Sequence, residues 1–356
     1  MTGSQGGMTV GSLLTHHGDD EVGPGLSDFA VNVAVPRPPG WLRRALTDAL
    51  ADVAAYPDPR AAMEAVATAH RCDPASVLMT NGAAEAFTLV ARARRWGAPA
   101  VVHPQFTEPE TALRALGYAP TAAMLLPGDA FRLHPTAVPA GADLVVIGNP
   151  TNPTSRLHPR DDIRALLRPG RVVVVDEAFM DLTPGEAESL AQEAAVTPGL
   201  LVVRSLTKTF GLAGVRAGYV LAAPGLIREL VAHQPHWSVN TLALVAATTC
   251  LGPAGVRHRA RVAEHLTGNT SHLAAALRAA GLELVPDPAA PFVLARHPAA
   301  ARLRERLRER GYAVRRGDTF PGLGPDWVRV AARHPEAVDG LAKAMTHELD
   351  LLGSGR

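Results

Sequence analysis

Lysine is nearly missing from this chain of 356 residues. Lysine and arginine together number 35, yet only Lys208 and Lys343 are lysines, which leaves 33 arginines. A guanidinium stays protonated and cannot form a Schiff base, whereas an ε-amine can. A lysine kept against such a background is a candidate for chemistry that only an amine performs. Lys343, in the helical stretch 335–352, reads as a chance survivor; Lys208 has to be judged by its neighbours.

Cysteine is scarce as well. Cys72 and Cys250 stand far apart with no Cys-x-x-Cys or His-x-His company, which argues against a disulfide framework, a metal site and a thiol-redox centre. An excess of one charge is also absent, because 35 basic residues face 34 acidic ones for a net charge of +1, and no nucleic-acid partner is expected. The longest nearly apolar stretch, 239–251, is too short to span a bilayer. The first residues lack the basic-then-apolar order of an export signal. We therefore expect a cytoplasmic protein without a membrane partner. Apolar types make up 47% and charged types 19%, which argues against disorder. At roughly 150 residues per domain, the length suggests two domains.

From residue 41 to about 252, short β-branched runs alternate with amphipathic segments rich in Ala, Leu and Arg, the pattern of a parallel sheet with crossover helices. Strands are predicted at 76–79, 100–103, 143–147, 171–175, 200–204 and 215–221, and helices at 83–95, 108–116, 160–167, 186–195 and 225–233. After Gly252 the order becomes a long helix at 256–280, strands at 282–285 and 292–295, a helix at 299–310, strands at 312–315 and 327–331, and a last helix. The expected fold class is α/β: an N-terminal arm (1–40), a large mainly parallel-sheet domain (41–252) and a smaller α+β domain (253–356).

Four stretches fall where a parallel sheet presents ligands, at strand carboxyl ends and helix starts. Thr80-Asn81-Gly82-Ala83-Ala84-Glu85 enters a helix whose free N–H groups can cradle a phosphate, though a Gly turn into a helix is ordinary. The run 172–175 delivers Asp176, a carboxylate that needs a cation if buried; a protonated pyridine nitrogen or a structural partner would serve. Asn149-Pro-Thr-Asn152 is a stiffened turn whose amide can point at a ring hydroxyl. Arg204-Ser205-Leu206-Thr207-Lys208 places two hydroxyls before an amine, with Arg216 eight residues after it, a set suited to a phosphate beside a Schiff base.

In this order the motifs NGAAE, NPTNPTS, DEAF, SLTK and R-x-G resemble the fold-type I pyridoxal-phosphate enzymes, in the branch of histidinol-phosphate aminotransferase and threonine-phosphate decarboxylase. The resemblance implies pyridoxal 5'-phosphate as cofactor, Lys208 as the Schiff-base lysine, Asp176 on the pyridine nitrogen and Asn152 on the ring hydroxyl. It implies Gly82, Ala83, Ala84, Ser205, Thr207 and Arg216 around the cofactor phosphate, Phe106 stacked on the ring, and Tyr56 reaching the phosphate of a neighbouring subunit in a homodimer. Substrate contacts are expected from His17, Asn32, Arg315, Arg329 and Arg333, cations and amide suited to a phosphorylated amino acid; Arg329 sits mid-strand, where an unpaired charge is costly. No metal is expected.

The segments around Asn32, Phe179 and Arg315 look more like the decarboxylase of the cobalamin pathway, since the aminotransferases usually have Tyr where Phe179 stands. His17-Gly18-Asp19 departs from the decarboxylases' usual His-Gly-Gly. The expected reaction is decarboxylation of L-threonine O-3-phosphate to (R)-1-aminopropan-2-ol O-phosphate. Amino transfer on histidinol phosphate or a related substrate is the alternative, and a non-catalytic binding protein of the same fold is a third. The residues named permit both reactions.

Overall fold

Within Val172–Asp176 every valine is buried and successive side chains turn to opposite faces of one sheet. Val173 and Val175 join Val145, Ile147 and Val202 in one core, whereas Val172 and Val174 join Val146, Leu201 and Val203 in another. An uninterrupted β-branched run is what a strand covered on both faces requires.

The computed structural model describes residues 14–354. Its strands are β1 (Ser27–Phe29), β2 (Val77–Asn81), β3 (Pro99–His103), β4 (Thr121–Met124), β5 (Leu144–Gly148), β6 (Val172–Asp176), β7 (Leu200–Ser205), β8 (Ala217–Ala222), β9 (Glu283–Leu284), β10 (Phe292–Arg296), β11 (Tyr312–Arg316) and β12 (Trp327–Ala331). Seven of them form one sheet in the order β2-β8-β7-β6-β5-β3-β4, with β8 alone reversed. Helices Gly40–Ala49, Arg60–His70 and Thr241–Leu251 cover one face; Gly82–Ala93, Glu108–Ala115 and Pro224–Val231 cover the other.

Register then assembles the site. Gly148 pairs with Asp176, Asn81 with Ala217 and Ser205 with Gly218. These pairs bring the ends of β2, β5, β6 and β7 and the start of reversed β8 to one edge of the sheet.

A second sheet, β1-β11-β12-β10-β9, carries Arg315 and Arg329 opposite each other on β11 and β12. The helix Pro253–Ala279 packs Leu273 and Leu277 into the core of this second sheet. The first 40 residues, read from sequence as an arm, supply β1, which pairs parallel to β11 with Ser27 beside Tyr312.

Several expected elements differ. The helix expected at 186–195 is reduced to Ala191–Ala194, because Glu186 adopts φ 47° and the side chain of Ser189 is drawn into a buried charge network. The strand expected from 215 begins at Ala217, since Arg216 takes φ 62° and leaves extended geometry. The helix expected at 160–167 is Arg160–Arg164. The edge strand β4, mostly exposed and alanine-rich, and the helices Gly40–Ala49, Arg60–His70 and Thr241–Leu251 were not among the expected elements. Thr241–Leu251 is apolar nearly all round because helices and β8 enclose it, so it lacks the one-sided periodicity that marks a surface helix.

Candidate active site

A cavity of about 370 Å³ opens at the assembled edge. Lys208 lines it from the first turn after β7, and Asp176 lines it from the last position of β6. Burial pulls the Lys208 amine down to about 8, helped by the Arg329 and Arg216 guanidinium groups. Burial pushes the Asp176 carboxyl up to about 6, opposed by the Ala178 N–H that donates to Oδ1 at 3.0 Å. Each group is thus held closer to its neutral form than it would be in water, the usual consequence of an enclosed site.

The helix Gly82–Ala93 points its N-terminus at the same cavity, where Ala83 and Ala84 form part of the wall. Asn81 makes no side-chain cap, so the first-turn N–H groups are left for a ligand. Gly82 has φ +74°, and a Cβ there would stand 2.6 Å from Nη2 of Arg216, whose guanidinium lies against the bare Cα. Gly218 is packed as tightly, with a Cβ position 2.9 Å from the Gly82 carbonyl carbon. Ser205, Thr207 and Arg216 also line the cavity. N–H groups, hydroxyls and a guanidinium around a glycine cradle form an anion site suited to a phosphate ester.

Phe106 walls one side, with its ring centroid 5.6 Å from that of His17. His17 also lies 3.7 Å from Glu108 through Nε2, and Phe179 lines the cavity with its ring edge-on to Phe292 at 5.1 Å.

Arg329 reaches across from β12, donating through Nη1 to Oδ1 of Asn152 and through Nη2 to the Ala30 carbonyl. Burial holds this guanidinium well below its ordinary value, with Arg315 and Arg333 adding repulsion. Arg315 donates to the His16 carbonyl at 2.7 Å and to Thr319 Oγ1 at 2.6 Å, while its Nη1 lies 3.6 Å from Glu21. Among the described residues, Nη1 of Arg315, Nε of Arg329 and both amide atoms of Asn32 are buried without a hydrogen-bond partner. All three residues line the cavity. Orphaned buried polar atoms of this kind call for a ligand.

Three expected site residues do not line the cavity: Gly82, which backs its wall beneath Arg216, and Tyr56 and Arg333. Tyr56 is 76% exposed and stacks on Trp237 at 4.4 Å, outside the cavity. Arg333 does not line the cavity either, because its guanidinium is taken up by the carbonyls of Asp28 and Val31 and by the Asp28 carboxylate at 3.4 Å. Sequence reasoning missed His16, Gln105, Glu108 and Phe320 on the cavity wall. Gln105 had a signal, since it follows the β3 end beside Phe106; Phe320 and His16 had none beyond nearness to Arg315 and His17. No group of side chains able to hold a metal ion occurs among the described residues.

Residues 29–345 match the aminotransferase class I and II family. The chain belongs to that family. A histidinol-phosphate aminotransferase of Mycobacterium tuberculosis is 47% identical over 321 residues, covering 89% of this chain and 86% of the relative. A protein of Caldanaerobacter subterraneus provisionally named a threonine-phosphate decarboxylase is 30% identical over 314 residues, 84% of each chain. Among solved structures, the L-threonine-O-3-phosphate decarboxylase of Porphyromonas gingivalis superposes with a TM-score of 0.81 at 26% identity, covering 90% of this chain and 99% of its own. The histidinol-phosphate aminotransferase of Sinorhizobium meliloti, solved with pyridoxal-5'-phosphate, gives 0.81 at 22% identity over 90% of each chain. This aminotransferase family accounts for the fold of both sheets.

Proposed function

We propose that the protein is a pyridoxal-phosphate enzyme that transfers the amino group of a phosphorylated amino compound such as histidinol phosphate. The observation that carries the reading is the meeting, in one cavity, of the amine of Lys208, the half-buried carboxyl of Asp176 and the unsatisfied donors of Arg315, Arg329 and Asn32. Membership of the aminotransferase family supports the cofactor. The naming of relatives 47% identical supports amino transfer ahead of decarboxylation.

The residues present fit pyridoxal phosphate. Ala83, Ala84, Ser205, Thr207 and Arg216 would hold its phosphate over Gly82, Asp176 would face the pyridine nitrogen, Asn152 the ring hydroxyl, and Phe106 the ring face. The cofactor, when bound, supplies an aldehyde for amines and a ring that accepts electrons.

Lys208, its amine near 8, can take the proton from the substrate carbon that bears the amino group and hold it within the cavity for its return. Arg315 and Arg329 would fix the anionic ends of the substrate, and the same pair can receive a dicarboxylate amino donor. Each charge-assisted bond contributes about 1.5–3 kcal/mol. The reading includes a homodimer, with the exposed Tyr56 directed to a second copy.

A second reading, decarboxylation of L-threonine O-3-phosphate as in the cobalamin pathway, is favoured by one feature. The cavity wall offers the phenyl ring of Phe179 where a phenol would add a hydrogen bond. The experiment is direct: holoenzyme is given histidinol phosphate with 2-oxoglutarate while glutamate is followed, and threonine phosphate alone while CO2 is followed. Glutamate formation supports the first reading. CO2 release without any 2-oxo acid replaces it with the second, and neither product defeats both.

A further inference from the structure

Behind the cavity lies a buried charge network that none of the roles above uses. The Arg204 side chain is only 2% exposed, and its three nitrogens face three carboxylates: Nε lies 3.0 Å from Glu177 Oε2, Nη1 2.7 Å from Asp181 Oδ1, and Nη2 2.6 Å from Glu186 Oε2. Ser189 Oγ accepts from Arg204 at 2.9 Å and donates to Glu177 at 2.7 Å, and the Leu190 N–H holds the other Glu177 oxygen at 2.7 Å. Arg259, from the helix Pro253–Ala279, approaches both Asp181 and Glu186 at 3.4 Å. Beside this group, His70 and Tyr219 share a buried hydrogen bond of 2.9 Å.

Burying so many charges is expensive, and a well-packed apolar cluster of equal volume is often as stable or more so. The chain also gives up local regularity for it. Glu186 adopts φ 47°, and the segment whose sequence reads as a helix is broken to bring Glu186 and Ser189 to the guanidinium. A non-glycine residue in the left-handed region, held there by its surroundings, points from strain towards function.

The network touches the reactive residues only through their neighbours. Glu177 follows Asp176, Arg204 precedes Ser205, and Thr209, which follows Lys208, donates to Asp181 Oδ2 at 3.4 Å. None of Arg204, Glu177, Asp181 or Thr209 lines the cavity. The ends of β6 and β7 are therefore tied together from behind, with Asp176 on one and the Lys208 turn on the other.

We propose that Arg204 is a positioning residue, which with Glu177 and Asp181 sets the placement of Asp176 relative to Lys208 and so tunes the amine on the cofactor. The inference rests on the pyridoxal-phosphate reading of the site. Small displacements of reacting groups are enough to matter, since about 1 Å of misplacement can cost about 100-fold in rate.

The test uses holoenzyme reconstituted with pyridoxal phosphate and reads the visible chromophore against pH, retention of the cofactor on dialysis, and thermal stability. Arg204→Lys keeps the charge but offers one ammonium to three carboxylates, so a change reports geometry and not net charge. Thr209→Val keeps shape and removes only the link from Asp181 to the Lys208 turn, which guards against an Arg204 variant that does not fold. The expected result is a displaced chromophore titration in both variants. With the substrate that proves active, kcat falls about tenfold or more with KM little changed, the signature of misplacement at the reacting centre. Variants that lose thermal stability but titrate and turn over as the parent does would overturn the proposal. If the parent protein itself forms no chromophore and borohydride fixes nothing on Lys208, the cofactor reading fails instead, so the two failures are separable.

Discussion

Arg329 on β12 donates to the side-chain oxygen of Asn152, a residue 177 positions earlier in the turn after β5. One guanidinium proposed for substrate is thereby bonded to the amide proposed for the cofactor ring. Arg329→Lys, which cannot serve Asn152 and the Ala30 carbonyl with the same planar fork, should raise KM by about 10–100-fold, in line with the loss of one charge-assisted bond. It should also move the chromophore spectrum before any substrate is added. A change in KM with an unaltered spectrum would show that the bond to Asn152 has no part in the cofactor site.

The shortage of lysine makes a clean labelling experiment. Borohydride reduction of the holoenzyme should fix the cofactor on Lys208 and leave the exposed Lys343 unmodified, as peptide mapping would show. Lys208→Ala should lose at least about 1,000-fold in turnover, the scale of a missing acid–base group. Lys343→Ala should behave as the parent.

Stability of the cofactor-free protein should depend on pH in a direction fixed by two groups. Folding raises Asp176 from 3.8 to about 6, so the stability from its protonated form is complete below pH 3.8 and lost as pH rises through about 6. Folding lowers Lys208 from 10.5 to about 8, so the stability from its neutral form is complete above pH 10.5 and lost as pH falls through about 8. Between pH 6 and 8 both groups oppose folding. Asp176→Asn should therefore raise the apo melting temperature at pH 8 more than at pH 4, and Lys208→Met should raise it at pH 7 more than at pH 10.5. Equal shifts at all pH values would contradict these directions.

Gly82→Ala should weaken cofactor retention. The new methyl would lie 2.6 Å from Arg216 Nη2 on a backbone at φ +74°, displacing the guanidinium proposed for the phosphate. We expect at least about a tenfold weaker Kd for pyridoxal phosphate, measured by dialysis and absorbance, equivalent to roughly 1.4 kcal/mol. Gly117→Ala is the control: its φ of +84° carries similar strain, but nothing lies within 4 Å, so only thermal stability should fall.

Phe179→Tyr adds a hydroxyl on the cavity wall. If amino transfer is the native reaction, that phenol should leave glutamate formation within about tenfold of the parent, since a neutral hydrogen bond contributes roughly 0.5–1.5 kcal/mol and the parent works without it. If decarboxylation is native, CO2 release should fall and amine transfer should emerge, which product analysis with both substrates would reveal.

The central strands, the carboxylate at the end of β6, the helix turn at Gly82 and the lysine after β7 were legible along the chain. Each depends on local pattern: buried β-branched runs, a glycine before a helix, and an amine in an arginine-rich background. The broken helix at 186–195 was not legible, because its cause is Arg204, a partner from a different strand whose charge overrides the amphipathic pattern. Arg329 could be singled out as a charge placed mid-strand, but its partner Asn152 could not, since strand register and the meeting of two sheets bring them together.

The fate of the other arginines shows the same division. Composition said that an arginine-rich chain would have cations to spare, and nothing in it distinguished Arg315, which keeps an unsatisfied nitrogen at the cavity, from Arg333, whose nitrogens are consumed by Asp28 and Val31. Residue identity sets which groups can carry charge or form an imine, and periodicity sets which segments become strands. Which cation stays free for a ligand depends on long-range neighbours competing for its hydrogen bonds, and only the folded arrangement of those neighbours decides it.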